Sequence, residues 1–406
     1  MTLTLPSHET TSAQLAGAWP WLSAGGNATG PYLGDSMADG SAWCYSPASA
    51  YAAGDVTGPN MVVAGMVGRA KSSLLKVLIG YVVGLHGGQA TVLDVKAEYA
   101  PLATFLGYPT IRLRPGGRVR LNLLDVEPAD RPQVLSGIAR SALGRALSPV
   151  EEAACTAALN VAEQLAGGDT VHLGLVAEAL LLPDSTQARE LGFQGSADLA
   201  DLRDATRAVA LALRHLVTTA LPGVIDGPTS PELLTGRLLV LDLSEVGDDR
   251  AVRVMLAAAM RWAAARPTNG NGLLVADECW RVLADPGTAT AAQAAFKLAR
   301  ARGVAGVLAL HRLSDLDAVG PAGSRERAIA HGLVNDSETK VLFGQEPSEA
   351  AALVGVAGLS DREAELVTRL GRGCALWRVG RRPPTPVRHR VPAALLPVVD
   401  TDGAMG

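Results

Sequence analysis

Cysteine and lysine are scarce in this chain, and neither sign of charge dominates. Its four cysteines lie far apart and form no CxxC pair, at Cys44, Cys155, Cys279 and Cys374. This spacing predicts neither a zinc site nor a disulfide framework. The formal net charge is -4. We therefore expect no overall field that draws the chain onto nucleic acid or an anionic membrane, so any contact with DNA requires a local surface or an assembled pore.

The sequence also lacks a hydrophobic run long enough to cross a bilayer. The longest apolar stretch, 74–85, is about a dozen residues and contains Lys76, whereas a membrane-spanning helix needs about 20. Residues 1–14 lack the basic and apolar regions of a secretory signal. We therefore expect a cytoplasmic protein that reaches the inner face of the cell membrane only through partners.

The order of apolar and amphipathic segments predicts an α/β fold. Apolar runs at 61–64 and 90–93 are each followed by an amphipathic stretch, which is typical of a parallel sheet with helical crossovers. Strand signals then disappear, and helical periodicity recurs at 132–147, 150–165, 173–182 and 197–220. Strand-like runs resume at 238–243, 273–276, 304–310, 339–343 and 375–379.

This order predicts five parts. We expect a short strand-containing segment (1–55), the first part of an α/β core (56–126), an all-helical insertion (127–236), the second part of the core (237–392) and a C-terminal tail (393–406). The predicted sheet is mainly parallel, and it is interrupted by the insertion and completed after it.

The segment 61–73 has the pattern of a phosphate-binding loop. An apolar strand leads into a glycine loop and a helix start, close to GxxxxGK[ST]. Such loops wrap phosphates with backbone N–H groups, while the lysine binds the β- and γ-phosphates and the hydroxyl binds Mg²⁺. We expect the nucleotide to be bound by Gly65, Gly68, Arg69, Ala70, Lys71, Ser72 and Ser73, with Ser72 as a metal ligand. The alternative is a glycine-rich turn with a chance Lys-Ser pair.

Ala70 departs from this pattern, which has glycine at the same position. If the position requires positive φ, the methyl group costs about 1–2 kcal/mol. That strain would weaken nucleotide binding without abolishing it.

A second motif follows about two hundred residues later, where four apolar residues end in Asp277 and Glu278. Parallel sheets bind ligands at the carboxyl ends of their strands. We expect Asp277 to hold Mg²⁺ through water and Glu278 to orient or deprotonate the attacking water. Such a run is common by chance, and its place after a glycine loop is what makes it informative.

Further candidates follow other strand-like runs. His311 follows 304–310 and could sense a γ-phosphate, and Arg302 or Arg300 could reach a neighbouring subunit as an arginine finger. A structural histidine and a charged helix end are the alternatives. The segment 94–99 could line the nucleotide site or form a solvated turn. Residues 111–125 are predicted to form a hairpin whose arginines share one strand face.

These motifs resemble those of the conjugative-transfer ATPases of type IV secretion systems, the TraC-type (VirB-like) group of the HerA/FtsK superfamily of P-loop motors, in an actinobacterial branch. LLVADECWRVL (273–283) is similar to their DEAW segment, and DVKAEYAPLA (94–103) to their DPKGEY segment. The resemblance covers 18–405. The chain departs from the family pattern at Ala70, Val95, Ala97, Cys279 and His311, the last where the family often has glutamine.

The resemblance implies a RecA-like P-loop ATPase, usually hexameric, that binds ATP and Mg²⁺. It further implies a motor that powers conjugative DNA or protein transfer together with secretion or conjugation channel proteins. Two alternatives stay open: a HerA- or FtsK-like DNA translocase, and a nucleotide-binding scaffold with little turnover. Ala70 favours the scaffold, whereas the intact Asp277 and Glu278 oppose it.

Overall fold

A computed structural model describes residues 30–184, 187–188, 191, 196–266, 268–278, 283, 286–319, 321 and 323–399. The chain divides into two units by its internal contacts. Unit 1 comprises residues up to 87, 309–314 and 334 onwards, and unit 2 comprises 88–308 and 315–333. These units do not coincide with the five parts expected from the sequence, and that division stays a prediction.

The described strands are β1 (Tyr32–Ser36), β2 (Ala42–Cys44), β3 (Met61–Ala64), β4 (Gln89–Asp94), β5 (Thr110–Arg112), β6 (Leu238–Asp242), β7 (Gly272–Ala276), β8 (Val304–Leu310), β9 (Thr339–Phe343), β10 (Cys374–Val379) and β11 (Thr385–His389). The described helices are α1 (Pro47–Ala52), α2 (Lys71–Gly84), α3 (Ala100–Phe105), α4 (Arg131–Leu143), α5 (Pro149–Ala166), α6 (Leu173–Leu181), α7 (Ser196–His215), α8 (Asp249–Ala265), α9 (Pro286–Ala301), α10 (Arg325–Asn335), α11 (Ala350–Gly355), α12 (Asp361–Arg369) and α13 (Leu396–Val399). None of these helices is both long and apolar enough to cross a membrane.

Unit 2 contains a parallel sheet in the order β8-β7-β4-β6-β5. Strands β6, β7 and β8 are almost wholly apolar and buried, as is typical of parallel strands covered on both faces. Asp94 pairs in register with Asp242, and Leu93 pairs with Ala276. The carboxyl ends of β4, β6 and β7 therefore meet at one edge of this sheet.

Unit 1 contains a mixed sheet in the order β2-β1-β11-β10-β9-β3, in which β3 and β9 are parallel and the other pairs antiparallel. An aromatic cluster fills its core. The Trp377 ring lies 5.7 Å from Trp43 and 4.9 Å from Tyr45, centroid to centroid. The Tyr45 hydroxyl donates a 2.8 Å hydrogen bond to Thr339, so the buried phenol is satisfied.

Helices α4 to α7 lie in the chain between β5 and β6, and the residues described between these strands contain no further strand. Local signals explain α5. Its N-cap Ser148 accepts a hydrogen bond from the Glu151 N–H, and the Glu151 carboxylate accepts one from the Ser148 N–H at 2.8 Å. The helix ends at Gly167, which has φ 57°. The predicted fold class, an α/β RecA-like core with a mainly parallel sheet and an all-helical insertion, is confirmed.

The predicted hairpin over 111–125 is wrong. Only Thr110–Arg112 forms a strand, and it pairs parallel with β6. The backbone beyond it bonds instead to a loop after α7, through Gly116 N to Pro222 O at 2.7 Å and Leu121 N to Val224 O at 2.8 Å. Because these groups find partners there, the arginines of this segment share no strand face.

One titratable group in the core of unit 1 makes stability depend on pH. His389 accepts a 3.2 Å hydrogen bond from Trp377 Nε1, and its other ring nitrogen lies 3.3 Å from the Leu33 carbonyl oxygen. Burial lowers the pKa of His389 from 6.5 to about 4, with the Leu33 contact opposing the shift. The unfolded chain therefore binds a proton between these pH values that the folded protein does not, and the stability present above pH 6.5 is lost as the pH falls towards 4.

We predict that unfolding free energy falls by up to about 2–3 kcal/mol between pH 7 and pH 4 on account of His389, a figure discounted because the ring keeps some solvent contact. In the His389→Gln variant this part of the pH dependence should vanish. Urea unfolding at several pH values, followed by tryptophan fluorescence, measures it. The matched control is His86→Gln, at an exposed histidine. Equal losses in wild type and His389→Gln would contradict the assignment.

Candidate active site

The glycine loop after β3 is held by the ends of two strands. Gly65 N–H donates to the Leu310 carbonyl at 3.2 Å, and Met66 N–H donates to the Gly344 carbonyl at 3.2 Å. A Cβ added at Gly65 would lie 2.5 Å from Phe343 Cβ, so this position requires glycine. The loop is therefore fixed where it leaves the sheet of unit 1.

The loop ends at Ala70, the N-cap of α2. Ala70 has φ 80° and ψ 27°, in the left-handed region. The position therefore has the positive φ at which a methyl group is strained. No side chain caps the helix here. The backbone N–H groups of the first turn of α2, which runs for 14 residues, would stabilise an anion at this helix N-terminus.

Lys71 folds back onto this loop. Its side chain is buried, and Nζ donates to the carbonyl oxygens of Gly65 at 2.6 Å and Met66 at 3.0 Å. Nζ also lies 3.2 Å from His311 Nδ1, which acts as an acceptor when that nitrogen carries no proton. The structure thus brings together Lys71 and His311, which the sequence predicted separately. Two of these partners are uncharged carbonyl oxygens, and a triphosphate would add groups of opposite charge.

The remaining loop residues occupy the first turn of α2 and the turn before it. Ser72 and Ser73 are partly exposed. The Arg69 carbonyl accepts a hydrogen bond from Gly373 N–H at 3.3 Å. Both serines belong to the first turn of α2, whose backbone N–H groups form the predicted phosphate site.

A buried glutamine beside His311 was missed by the sequence analysis. Gln345 Nε2 donates to the His311 carbonyl at 3.2 Å, and the side chain is 2% exposed. Its Oε1 has no hydrogen-bond partner in the described part of the chain. The ATPases that the sequence resembles often have glutamine where this chain has His311, and here a glutamine follows β9. Nothing near Gln345 in sequence marks it, because its contact joins residues 34 positions apart.

In unit 2, Asp277 and Glu278 follow β7 and are both buried. The Tyr99 hydroxyl donates to Asp277 Oδ2 at 2.8 Å, and the Lys96 ammonium lies 2.5 Å from Glu278 Oε1. Burial, followed by the charge of Asp277, raises the pKa of the Tyr99 phenol, which therefore stays a donor. Each carboxylate of the pair is thus contacted by one side chain of the 94–99 segment.

That segment is folded around a third carboxylate. Asp94 accepts hydrogen bonds from Lys96 N–H at 3.1 Å and Tyr99 N–H at 2.8 Å. Burial raises the pKa of Asp94, backbone hydrogen bonds oppose the shift, and the charge of Asp242 adds to it. Burial opposes the charged form of Lys96, yet its contact with Glu278 leaves the Lys96 pKa raised. The segment packs against the acidic pair and is more than a solvated turn.

Arg302 lies elsewhere in unit 2. It precedes β8, whose first residue pairs in register with Gly272 at the start of β7, and its Nη1 donates to the Ala265 carbonyl at 2.8 Å. Asp277 follows the opposite end of β7. The two residues are therefore at opposite edges of this sheet within the chain, and a role for Arg302 or Arg300 in a neighbouring subunit stays a prediction.

The residues present fit Mg²⁺ bound together with a nucleotide. Among the described residues, no group of three or more His, Cys, Asp and Glu side chains could enclose a metal ion. Mg²⁺ in nucleotide sites needs no such cage, because it keeps several waters and binds one or two protein groups plus phosphate oxygens. The Ser72 hydroxyl and the Asp277 carboxylate are groups of this kind, and their role as metal ligands stays a prediction. Cys279, the residue that departs from the family's DEAW segment, lies outside the described residues.

The strain at Ala70 leads to a test. Ala70→Gly should raise the free energy of unfolding by about 1 kcal/mol, because glycine adopts positive φ without steric cost and this outweighs its larger unfolded-state entropy. Its affinity for ATP should equal or exceed that of wild type. Urea unfolding and nucleotide titration measure the two effects. Ala53→Gly, at an exposed residue with φ -75°, should instead be destabilising. A less stable Ala70→Gly protein would mean that the loop accommodates the methyl group.

The comparisons with known proteins concern the fold. No protein-family model and no curated protein sequence matches the chain. VirB4 of Thermoanaerobacter pseudethanolicus is similar in structure, with a TM-score of 0.71 and 20% identity over 91% of this chain and 99% of that chain. The bacterial conjugative coupling protein TrwB has a TM-score of 0.57 and 18% identity over 82% of this chain and 85% of that chain.

TrwB in complex with ADP and Mg²⁺ gives a TM-score of 0.57 and 17% identity over 84% of this chain and 87% of that chain. At these identities the likeness establishes the fold and no more. The chain has the P-loop fold of VirB4 and of the coupling protein TrwB.

Proposed function

We propose that this chain is an ATP-binding and ATP-hydrolysing motor that energises conjugative DNA transfer or type IV secretion-like translocation. The observation that carries the proposal is the buried Lys71 at the uncapped N-terminus of α2. A buried cation at a helix N-terminus that no side chain caps suits a bound polyphosphate. The fold shared with VirB4 and with TrwB, solved in complex with ADP and Mg²⁺, supports it.

Each loop residue has a role in this proposal. Backbone N–H groups from Gly65 to Ser73 bind phosphate oxygens, and Lys71 exchanges its carbonyl partners for the β- and γ-phosphates. Ser72 and Asp277 are the residues that would hold Mg²⁺, which would neutralise the charge that develops on the phosphate oxygens. Arg69 and Ala70 shape the loop. The buried Tyr99 hydroxyl fixes the orientation of Asp277.

Glu278 serves as the general base. In the proposed reaction a water oxygen bonds to the γ-phosphorus, the bond from that phosphorus to the bridging oxygen of ADP breaks, and Glu278 takes up the proton that water releases. His311, in contact with Lys71, responds to the phosphate charge at the loop. Gln345 adds a buried carbonyl oxygen beside His311, which can accept a hydrogen bond from water.

A cavity in unit 1 suits the nucleoside. It has a volume of about 670 Å³ and is lined by Ala70, Ser73 and Val77 together with Arg372 and His389. Small-molecule sites have volumes of roughly 300–1,000 Å³. Because the cavity adjoins the first turn of α2, a nucleoside in it would lie next to the phosphate site.

Partners follow from the same proposal. We propose a homo-oligomer, a hexamer by its resemblance to related motors, that works with secretion or conjugation channel proteins and with DNA. It would act in the cytoplasm and reach the inner face of the membrane through those proteins. A HerA- or FtsK-like translocase is the second candidate, and ATPase rates with single- and double-stranded DNA at several salt concentrations separate the two.

Two variants separate binding from turnover. Lys71→Ala should lose most ATP binding, because the loop amides alone do not replace the cation. Glu278→Gln should bind ATP normally and hydrolyse it about 10²-fold or more slowly, since the amide accepts no proton.

Fluorescent nucleotide titration and phosphate release measure these effects. Lys297→Ala, at an exposed lysine, should behave as wild type. Unchanged ATP affinity in Lys71→Ala refutes the site, and parental turnover in Glu278→Gln requires another base. A nucleotide-binding scaffold would show no turnover in wild type.

Assembly leads to a separate prediction. An arginine supplied in trans can raise the rate by about 10³- to 10⁵-fold. We expect specific activity to rise with protein concentration and Arg302→Ala to lower turnover with little change in ATP affinity; Arg300→Ala tests the other candidate. A dilution series paired with mass photometry measures this, and thermal unfolding checks for loss of the Arg302 bond to Ala265. Constant specific activity in a protein that mass photometry shows to be monomeric would contradict both the proposed oligomer and the proposed role of an arginine from a neighbouring subunit.

A further inference from the structure

The proposed general base is engaged by a lysine. Lys96 Nζ lies 2.5 Å from Glu278 Oε1, and the Glu278 side chain is 5% exposed whereas that of Lys96 is 44% exposed. A carboxylate that accepts a charge-assisted hydrogen bond from an ammonium group has one oxygen occupied. The carboxylate that must act on water is therefore restrained from the solvent side.

The backbone on both sides of this ion pair is strained. Three non-glycine residues of the described chain have positive φ, and two of them are Ala97 at 57° and Glu278 at 56°. Residues held in such conformations cost about 1–3 kcal/mol each and persist where the surroundings enforce them. The ion pair joins the two strained turns directly. Lys96 is therefore one of the neighbours that hold Glu278 in its strained conformation.

The two contacts made by the 94–99 segment differ in accessibility. Tyr99 is fully buried and donates to Asp277, and Asp94 fixes the turn from inside through the N–H groups of Lys96 and Tyr99. Lys96 approaches Glu278 from a side that remains open to solvent. The contact of Tyr99 with Asp277 is thus closed to solvent, whereas an anion in solution can reach the ammonium of Lys96.

We infer that Lys96 is a positioning residue that holds Glu278 in a resting state, and that a phosphate group, by binding Lys96, releases Glu278 to act on water. A phosphate competes with a carboxylate for an ammonium group, because it too offers charged oxygens as acceptors. The inference rests on the proposed function. It makes ATP hydrolysis conditional on a phosphate group that reaches Lys96, and single-stranded DNA is the probe for one source of that phosphate.

The test compares Lys96→Met with Lys96→Arg, using steady-state ATP hydrolysis with and without single-stranded DNA. Lys96→Met should raise basal kcat by about 10-fold, with KM for ATP unchanged and DNA stimulation lost, because the restraint on Glu278 is gone. Lys96→Arg keeps a cation for Glu278 and should retain low basal activity and DNA stimulation. Lys297→Met, at an exposed lysine on α9, is the matched control.

A double-mutant cycle separates restraint from a general effect on folding. If Lys96 acts through Glu278, Lys96→Met changes nothing in a Glu278→Gln background. Basal kcat of Lys96→Met at or below wild type, in a protein with unchanged thermal unfolding, would overturn the inference. An increase in Lys96→Met without DNA stimulation of wild type would support the restraint and overturn DNA as the releasing ligand. Failure of the proposed function would give a different result. Wild type would then hydrolyse no ATP, or the Glu278→Gln variant would hydrolyse ATP at the wild-type rate.

Discussion

Parallel pairing of β4, β6 and β7 is the constraint on which the chemistry of unit 2 depends. Each of these strands enters the sheet in the same direction and ends in an aspartate or directly before one: Asp94, Asp242 and Asp277. Burying three carboxylates at one edge carries a large desolvation cost. Asp94 meets that cost with backbone hydrogen bonds and Asp277 with the Tyr99 hydroxyl. The turn after β4 is thereby tied to the residues after β7.

Unit 1 solves a related problem with the opposite charge. Lys71 is a buried cation, and its ammonium is satisfied by carbonyl oxygens of the loop that precedes it. Those carbonyls are available because the loop N–H groups of Gly65 and Met66 bond to strand ends, which fixes the direction of the intervening peptides. The same strand ends position His311 and Gln345. A loop with a general phosphate-binding pattern acquires specific neighbours through these backbone contacts.

Much of the fold could be predicted from the sequence. The apolar runs placed β3, β8 and β9 at their observed bounds, because buried parallel strands are continuous and end at turn residues. Helix ends marked by caps were placed within a few residues. The predicted hairpin over 111–125 is wrong because alternating arginines do not determine which segment the backbone pairs with. The N–H groups of this segment bond to a loop about a hundred residues away. The site was predicted where residues are adjacent in sequence; Gln345, Lys96 and the cavity near Arg372 depend on contacts between distant segments, which no local pattern encodes.

Alanine at positions 70 and 97 has a consequence for how the loops meet a ligand. Both residues have positive φ, where a methyl group is strained and a glycine is not. Each turn is therefore held in its shape by its surroundings, against the tendency of the alanine to return to negative φ. A ligand that fits the strained shape must help to hold it, so part of its binding free energy goes into the backbone of the loop.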